Sequence, residues 1–282
     1  MNNIKLKSML EEFLKEDLGD GDLSSESVFE ESDQGSFYLM VKEDGVFCGR
    51  SVIEMVFRLL SPAASAEVHV EDGDEVKEGQ LIAKVSGSMR TLLQGERVVL
   101  NLIQRMSGIA TSVRKAVRKV EGSGVRICDT RKTTPGLRML EKYAVRAGGG
   151  FNHRMGLYDA VMLKDNHISF AGSIAASVEK AKQHCGHTVK IEVEIESEEG
   201  LIEAVDSGAD IIMFDNCSPH QIREWLPRVP AAVITEASGG ITEENLSDYA
   251  STGVGYISLG YLTHSVKSLD ISARVLRQEV EC

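Results

Sequence analysis

The sequence predicts an α/β protein in two parts, an amino-terminal α/β sandwich-like domain followed by an incomplete, six- or seven-stranded α/β barrel. Three observations carry this. From residue 125 onward, β-branched apolar runs alternate with segments whose apolar positions recur at three and four, the rhythm of parallel strands joined by crossover helices. Several of these runs are apolar throughout, as strands covered on both faces are. Polar residues then stand at the carboxyl ends of the runs; a barrel gathers such ends at one mouth, whereas an open sheet strings them along a line.

Taken in order, residues 1–30 suggest two short helical pieces. Residues 36–49 and 64–86 read as strands, punctuated by the turn signals Glu43-Asp44-Gly45 and Asp72-Gly73-Asp74. The segment 91–120 is helical, with Leu92, Leu93, Val99, Leu100 and Ile103 at apolar spacing. The barrel strands follow as VRICDT (125–130), DAVMLKDN (159–166), VKIEVEI (189–195), ADIIMFDN (209–216), AAVITEAS (231–238) and GVGYISLG (253–260). Six runs fall short of the usual eight, so either the barrel is incomplete or further strands lie within 100–124. The expected division is 1–110 for the first domain and 111–267 for the barrel, with a last helix over 268–282 packed on the first domain.

A chain of 282 residues with 42% apolar side chains can bury a sizeable core. Its formal charge of -12 argues against nucleic acid, which calls for a broad basic face. The amino terminus has charges spread through its apolar pattern, and no stretch approaches the ~20 apolar residues of a membrane span, so neither signal peptide nor anchor is expected. The five cysteines, Cys48, Cys128, Cys185, Cys217 and Cys282, are odd in number and lack C-x-x-C spacing. That disfavours a disulfide framework and a zinc site, and points to a cytoplasmic protein with reduced thiols.

Against this acidic background, seven cations fall between 131 and 164: Arg131, Lys132, Arg138, Lys142, Arg146, Arg154 and Lys164. The run reads as a local trap for a small polyanion. Arg131 and Lys132 follow the first barrel strand within D-T-R-K-T-T-P-G, where a guanidinium fork and a mobile ammonium suit an anion with several oxygens; an ordinary charged loop is the alternative. In G-G-G-F-N-H-R, three glycines expose backbone N–H groups beside His153 and Arg154, unless the segment is merely a surface loop. Arg138, Lys142 and Arg146 belong to the intervening helix, leaving Arg131, Lys132, Arg154 and Lys164 for the mouth.

Glu192, Glu194 and Asp215 are the acidic counterpart. Glu192 and Glu194 share one face of a strand, and carboxylates at a basic mouth suit magnesium, or else ion pairs to Lys190, Lys164 or Arg131. The glycine-rich turns Ser238-Gly239-Gly240 and Ser258 to Gly260 follow the last two strands, the usual phosphate cradle of a barrel. Arg97 and Arg105, near the ends of the helical segment 96–111, read as solvated helical arginines, and Arg97 receives no ligand from chemistry alone.

Together these segments resemble the quinolinate phosphoribosyltransferases, the carboxylating nicotinate-nucleotide pyrophosphorylases. The matching stretches are E-D-L-G-D-G-D (16–22), G-E-R (95–97), S-G-I-A-T (107–111), D-T-R-K-T-T-P-G (129–136), N-H-R (152–154), K-D-N-H (164–167), E-V-E (192–194), E-A-S-G-G-I (236–241) and L-T-H (262–264). Phe151 stands where relatives often carry a polar residue.

The resemblance implies conversion of quinolinate and phosphoribosyl pyrophosphate to nicotinate mononucleotide, pyrophosphate and carbon dioxide, with Mg2+, in de novo NAD biosynthesis. It implies that Arg131, His153, Arg154 and Lys164 clamp the pyridine dicarboxylate, joined by Arg97 from the other subunit of a homodimer. It further implies Lys132 and Lys164 at the donor's phosphates, Glu194 and Asp215 for magnesium and ribose, and Ser238, Gly239, Gly240, Ser258 and Gly260 for the 5-phosphate. Lys132, Lys164, Glu194 and Asp215 are then the catalytic set. Two other readings stand beside it: a paralogue associated with molybdenum transport, and a non-catalytic sensor of a phosphorylated metabolite. The full basic set favours the quinolinate enzyme over the first, and the acidic pair beside a phosphate cradle favours turnover over the second.

Overall fold

A computed structural model describes residues 1–275. The described residues divide into two compact units, the first comprising 1–112, 139–149 and 266–275, the second 113–138 and 150–265.

In the first unit, α1 (Asn3–Leu18) begins where the Asn2 side chain accepts the N–H groups of Ile4 and Lys5, and it buries Leu6, Leu10 and Leu14, one per turn on one face. A short α2 (Leu23–Val28) follows. The strands β1 (Gln34–Val41), β2 (Gly45–Val46), β3 (Ser65–Val68), β4 (Glu75–Val76) and β5 (Leu81–Ser88) break the two expected strand regions into five pieces. Alternation explains which side of β1 is buried: Phe37, Leu39 and Val41 point inward. The helix α3 (Arg50–Leu60) buries Val52, Ile53, Val56 and Phe57, and Phe57 meets Phe37 edge-on at 5.7 Å.

The Asp72-Gly73-Asp74 turn does more than reverse the chain. Asp72 Oδ1 accepts the N–H groups of Gly49 and Arg50, satisfying the start of α3 from a distant loop. Its other oxygen accepts the Tyr143 hydroxyl at 2.6 Å, from α5 (Arg138–Ala147), preceded in the chain by the long α4 (Met89–Lys119). The 100–124 region therefore contains no strand; α4 occupies most of it.

The S-G-I-A-T stretch lies on α4 and is architectural. Ser107 Oγ accepts the Cys48 N–H at 2.9 Å and donates to the Cys48 carbonyl, while Thr111 Oγ1 accepts the Val46 N–H at 2.8 Å. At Gly108 the Lys267 carbonyl comes so close that a Cβ would stand 2.3 Å from its oxygen. Arg105 is not merely solvated: its Nε and Nη2 lie 2.8 and 2.7 Å from Glu141 Oε1, a carboxylate only 1% exposed.

One expectation is corrected. Residues 268–275 are not helical; Ile271–Arg274 is a strand that pairs antiparallel with β1, Val41 opposite Ile271 and Leu39 opposite Ala273. The sheet order is Ile271–Arg274, β1, β5, β3. Leu269 and Ile271 are buried two residues apart, the strand period, and the free edge of β1 supplies the partners for their backbone. The remainder of the expected helix, 276–282, lies outside the described residues.

The second unit holds the parallel strands β6 (Arg126–Cys128), β7 (Val161–Leu163), β8 (Ile191–Ile195), β9 (Ile211–Asp215), β10 (Ile234–Ser238) and β11 (Tyr256–Ser258), all six within the expected runs. Their spatial order is β6-β11-β10-β9-β8-β7. This is the cyclic order of a barrel, with the last strand beside the first and the ring left open between β6 and β7. In that opening, Phe151 makes an isolated parallel bridge to Cys128. Its ring packs edge-on to Tyr256 with the Arg126 guanidinium 5.1 Å above it, which accounts for an aromatic residue there. Among the described residues no helix is long and apolar enough to cross a membrane.

Candidate active site

Parallel strands put their carboxyl ends at one rim, and side chains two apart along a strand share a face. Glu194 on β8, Asp215 on β9, Ser238 on β10 and Ser258 on β11 are in register: Glu194 lies opposite Met213, and Asp215 opposite Ser238. With Arg131 and Lys132 after β6, His153 and Arg154 after the Phe151 bridge, and Lys164 after β7, they line one cavity of about 360 Å³ in the second unit. Arg138, Lys142 and Arg146 lie on α5, as expected. Gly239, Gly240 and Gly260 follow Ser238 and Ser258 in the rim loops. Arg97 is exposed on α4 in the first unit and is not among the residues lining this cavity.

The cations are held apart by specific partners. Lys164 Nζ pairs with Glu194 Oε1, fulfilling the ion-pair alternative for that carboxylate. Arg154 donates from Nη1 to the Ala160 carbonyl at 3.1 Å. Burial, and after it the neighbouring charge of Arg131, pull the Arg154 pKa down. Arg131 Nε is buried and has no hydrogen-bond partner among the described residues, which leaves it able to donate to an oxygen in the cavity.

Glu194 sits where opposing influences meet. Burial pushes its carboxyl above the ordinary value, Lys164 pulls it back, and the charges of Asp215 and Glu192 push it further. Two carboxylates that repel across a half-buried rim present hard oxygen ligands to a divalent cation. The donor set therefore fits magnesium.

The glycines of the rim have steric reasons. Gly239 and Gly240 have φ of +84° and +62°, and a Cβ on Gly239 would stand 2.3 Å from Asn216 Oδ1. Asn216, itself at φ +53°, donates its N–H to the Ser238 carbonyl at 2.9 Å. A Cβ on Gly260 would meet His264 at 3.1 Å and the Lys132 side chain at 3.2 Å. The L-T-H stretch belongs to the same support, since the fully buried Thr263 donates from Oγ1 to the Lys132 carbonyl at 2.8 Å.

Below the rim lies a layer that sequence reasoning reached only in part. Glu192 and Glu236 stand two residues inside Glu194 and Ser238, 2% and 4% exposed, and converge on His153 Nε2 at 3.1 and 3.7 Å. Asp129, fully buried, accepts the Asn152 amide at 2.6 Å and the His153 N–H at 2.9 Å. Burial first, then the charge of Glu192, push the Glu236 carboxyl up to about 7. Glu236 had a local signal, the strand period that places it on Ser238's face; nothing local marks it as a partner of His153.

Both parts of the chain match models of one family: residues 22–107 the quinolinate phosphoribosyl transferase N-terminal domain, and 109–274 its C-terminal domain. A probable nicotinate-nucleotide pyrophosphorylase [carboxylating] from Bacillus subtilis is 56% identical over 276 residues, covering 98% of this chain and 95% of that protein. The crystal structure of NadC from Streptococcus pyogenes superposes with a TM-score of 0.93 at 39% identity, covering 97% of each chain. The nicotinate-nucleotide pyrophosphorylase from Francisella tularensis does so at 0.93 and 35%, covering 98% of each.

Proposed function

The chain belongs to the quinolinate phosphoribosyltransferase family, and we propose on that premise how its residues join quinolinate to phosphoribosyl pyrophosphate in de novo NAD biosynthesis. The products are nicotinate mononucleotide, pyrophosphate and carbon dioxide. One observation carries the assignment of residues: Arg131, Arg154, Lys164, Glu194 and Asp215 line a single cavity, and Arg131 Nε has no partner among the described residues.

Arg131, Arg154 and Lys164 take the two carboxylates of quinolinate, neutralising the dianion and turning its ring nitrogen toward the ribose. Ser238, Gly239, Gly240, Ser258 and Gly260 receive the 5-phosphate, and Lys132 lies near the donor's phosphates. As the C1–oxygen bond to pyrophosphate breaks, positive charge grows on the sugar, and the carboxylates of Glu194 and Asp215 stabilise it. The ring nitrogen's electron pair forms the new bond to C1. The pyridinium then accepts the electrons released as the adjacent carboxylate leaves as carbon dioxide, and a proton replaces it on the ring carbon. Magnesium, when held by Glu194 and Asp215, supplies charge to offset the departing pyrophosphate.

We further infer a homodimer in which Arg97 of the partner subunit completes the quinolinate clamp; exposure of Arg97 on α4 supports its being presented outward. The reduced thiols of Cys48, Cys185 and Cys217 suit a reducing, cytoplasmic setting.

The deciding experiment supplies purified protein with quinolinate, phosphoribosyl pyrophosphate and magnesium and follows nicotinate mononucleotide and carbon dioxide. Turnover that stops on chelation is expected; absence of product from quinolinate would end the proposal. A companion prediction concerns the cradle. Gly239→Ala, whose Cβ would collide with Asn216, is expected to raise KM for phosphoribosyl pyrophosphate roughly tenfold by displacing the turn, with KM for quinolinate little changed. Steady-state kinetics with each substrate varied in turn checks it.

A further inference from the structure

A closed barrel fills its interior with layers of side chains. Here the ring is open between β6 and β7, and the second unit holds a further cavity of about 470 Å³. Ile211, Ile234 and Tyr256 line it, the first residues of β9, β10 and β11. Asp215, Ser238 and Ser258, which line the mouth cavity, are the last residues of the same three strands, so the two cavities lie toward opposite ends of the barrel. Among the described residues, His153 and Arg154 alone line both. Arg154 is tied to the rear wall, where its Nη1 donates to the Ala160 carbonyl at 3.1 Å.

The two chambers differ in chemistry. The mouth adds Arg131, Lys132 and Lys164 to the shared pair. The rear wall combines the apolar Phe151, Met155, Ile211 and Ile234 with the carboxylates of Asp159, Glu192 and Glu236. Glu236 Oε1 is buried and has no hydrogen-bond partner among the described residues. Burial and the charge of Glu192 raise the Glu236 carboxyl, and the positive charge of the His153 ring draws it back, which favours a negative wall. Quinolinate, phosphoribosyl pyrophosphate, pyrophosphate and nicotinate mononucleotide are all anions, which such a wall repels. Carbon dioxide is the one participant that is small, uncharged and without a dipole, suited to aliphatic and aromatic side chains.

The gas is released where the clamp holds the carboxylate, beside the two residues that part the chambers. As the bond from the ring carbon to the carboxylate breaks, its electron pair stays on the ring carbon and is then taken by a proton from water. The ribose, its 5-phosphate and the departing pyrophosphate occupy the mouth side at that moment. We propose that the rear cavity receives the carbon dioxide and is its way out past His153 and Arg154, through the amino-terminal end of the barrel. This deepens the proposed function and rests on it for the source of the gas.

Crystals of the unliganded protein pressurised with carbon dioxide are expected to show the linear molecule in the rear cavity, beside Ile211 and Ile234. Ile234→Trp, at a half-buried position on the amino-terminal rim, fills that space and is expected to lose the density. In the same variant, gas that is slow to leave returns to the ring carbon before a proton does, so kcat is expected to fall about fivefold with KM for both substrates within about twofold. Ile234→Leu keeps the side-chain volume and is expected to match wild type. Ile211→Trp places the obstruction on the neighbouring strand, where Ile211 lies opposite Ile234, and is held to the same outcomes should Ile234→Trp fail to fold in a thermal melt.

No carbon dioxide in the rear cavity of wild type, or an unchanged kcat in a variant whose crystals exclude it, overturns the proposal. So does a rise in KM for quinolinate that accounts for the loss, since that would mean a displaced clamp and not a closed exit. Gas binding is read without substrate, so carbon dioxide seen in the rear cavity of a protein that fails to turn over quinolinate would strike the proposed function and the exit role, not the apolar site.

Discussion

Lys164→Ala is expected to lower kcat/KM for quinolinate by about 10³-fold while the protein stays folded. Lys164 closes β7 at the rim with its side chain 43% exposed, so its removal opens no core cavity. It is, however, the cation paired with Glu194, whose side chain is 13% exposed and whose carboxyl burial already pushes up. Without Lys164 the carboxyl shifts further toward its protonated form, and one variant loses both a cation proposed to bind quinolinate and the charge of a carboxylate proposed to hold magnesium. Steady-state kinetics beside a thermal melt separates this from unfolding; wild-type turnover would remove Lys164 from the mechanism.

The same variant tests the shared site. Mixed with Arg97→Ala under conditions of proven subunit exchange, it is expected to regain about a quarter of wild-type activity, because half the dimers are hybrid and each hybrid has one intact site of two. No recovery despite exchange would leave Arg97 outside the site.

Gly108→Ala is expected to cost about 3 kcal/mol of stability, a large loss for one methyl group. The added Cβ would meet the Lys267 carbonyl oxygen at 2.3 Å and the Ser268 Cα at 3.0 Å, both backbone atoms without rotamers through which to escape. Relief would have to pull 267–268 from α4, where the Leu269 N–H donates to the Gln104 carbonyl at 3.0 Å, and with it the strand Ile271–Arg274 from β1. Urea unfolding measures the change. Gly186→Ala, with nothing within 4 Å of the new Cβ, serves as the near-neutral comparison, and equal midpoints for the two variants would refute the steric account.

The six barrel strands were legible because β-branched apolar runs bounded by turns declare themselves locally, and the rim residues because each stands at the end of such a run. Lys164, Glu194, Asp215, Ser238 and Ser258 thus met in one cavity as expected. The strand Ile271–Arg274 was not legible, since 268–275 is too short to settle its own conformation and its partner β1 lies far back in the chain. Arg105 looked like any helical arginine until Glu141 arrived from α5 to meet it. The S-G-I-A-T stretch carried a family resemblance, yet its purpose is contact with Cys48, Val46 and Lys267, none of them near it in sequence.

The sequence by itself determined the family, the six barrel strands it named and the charges at the barrel mouth, because strand period and parallel direction are local properties that place every strand end on one rim. Only the tertiary structure decided what those charges do to one another. That Glu192 and Glu236 converge on His153, that Arg131 Nε is buried without a partner among the described residues, and that Lys164 and Glu194 form a pair depend on register between strands and on exclusion of water. Desolvation and hydrogen-bond direction act over a few ångströms in space, a distance that separation along the chain does not encode.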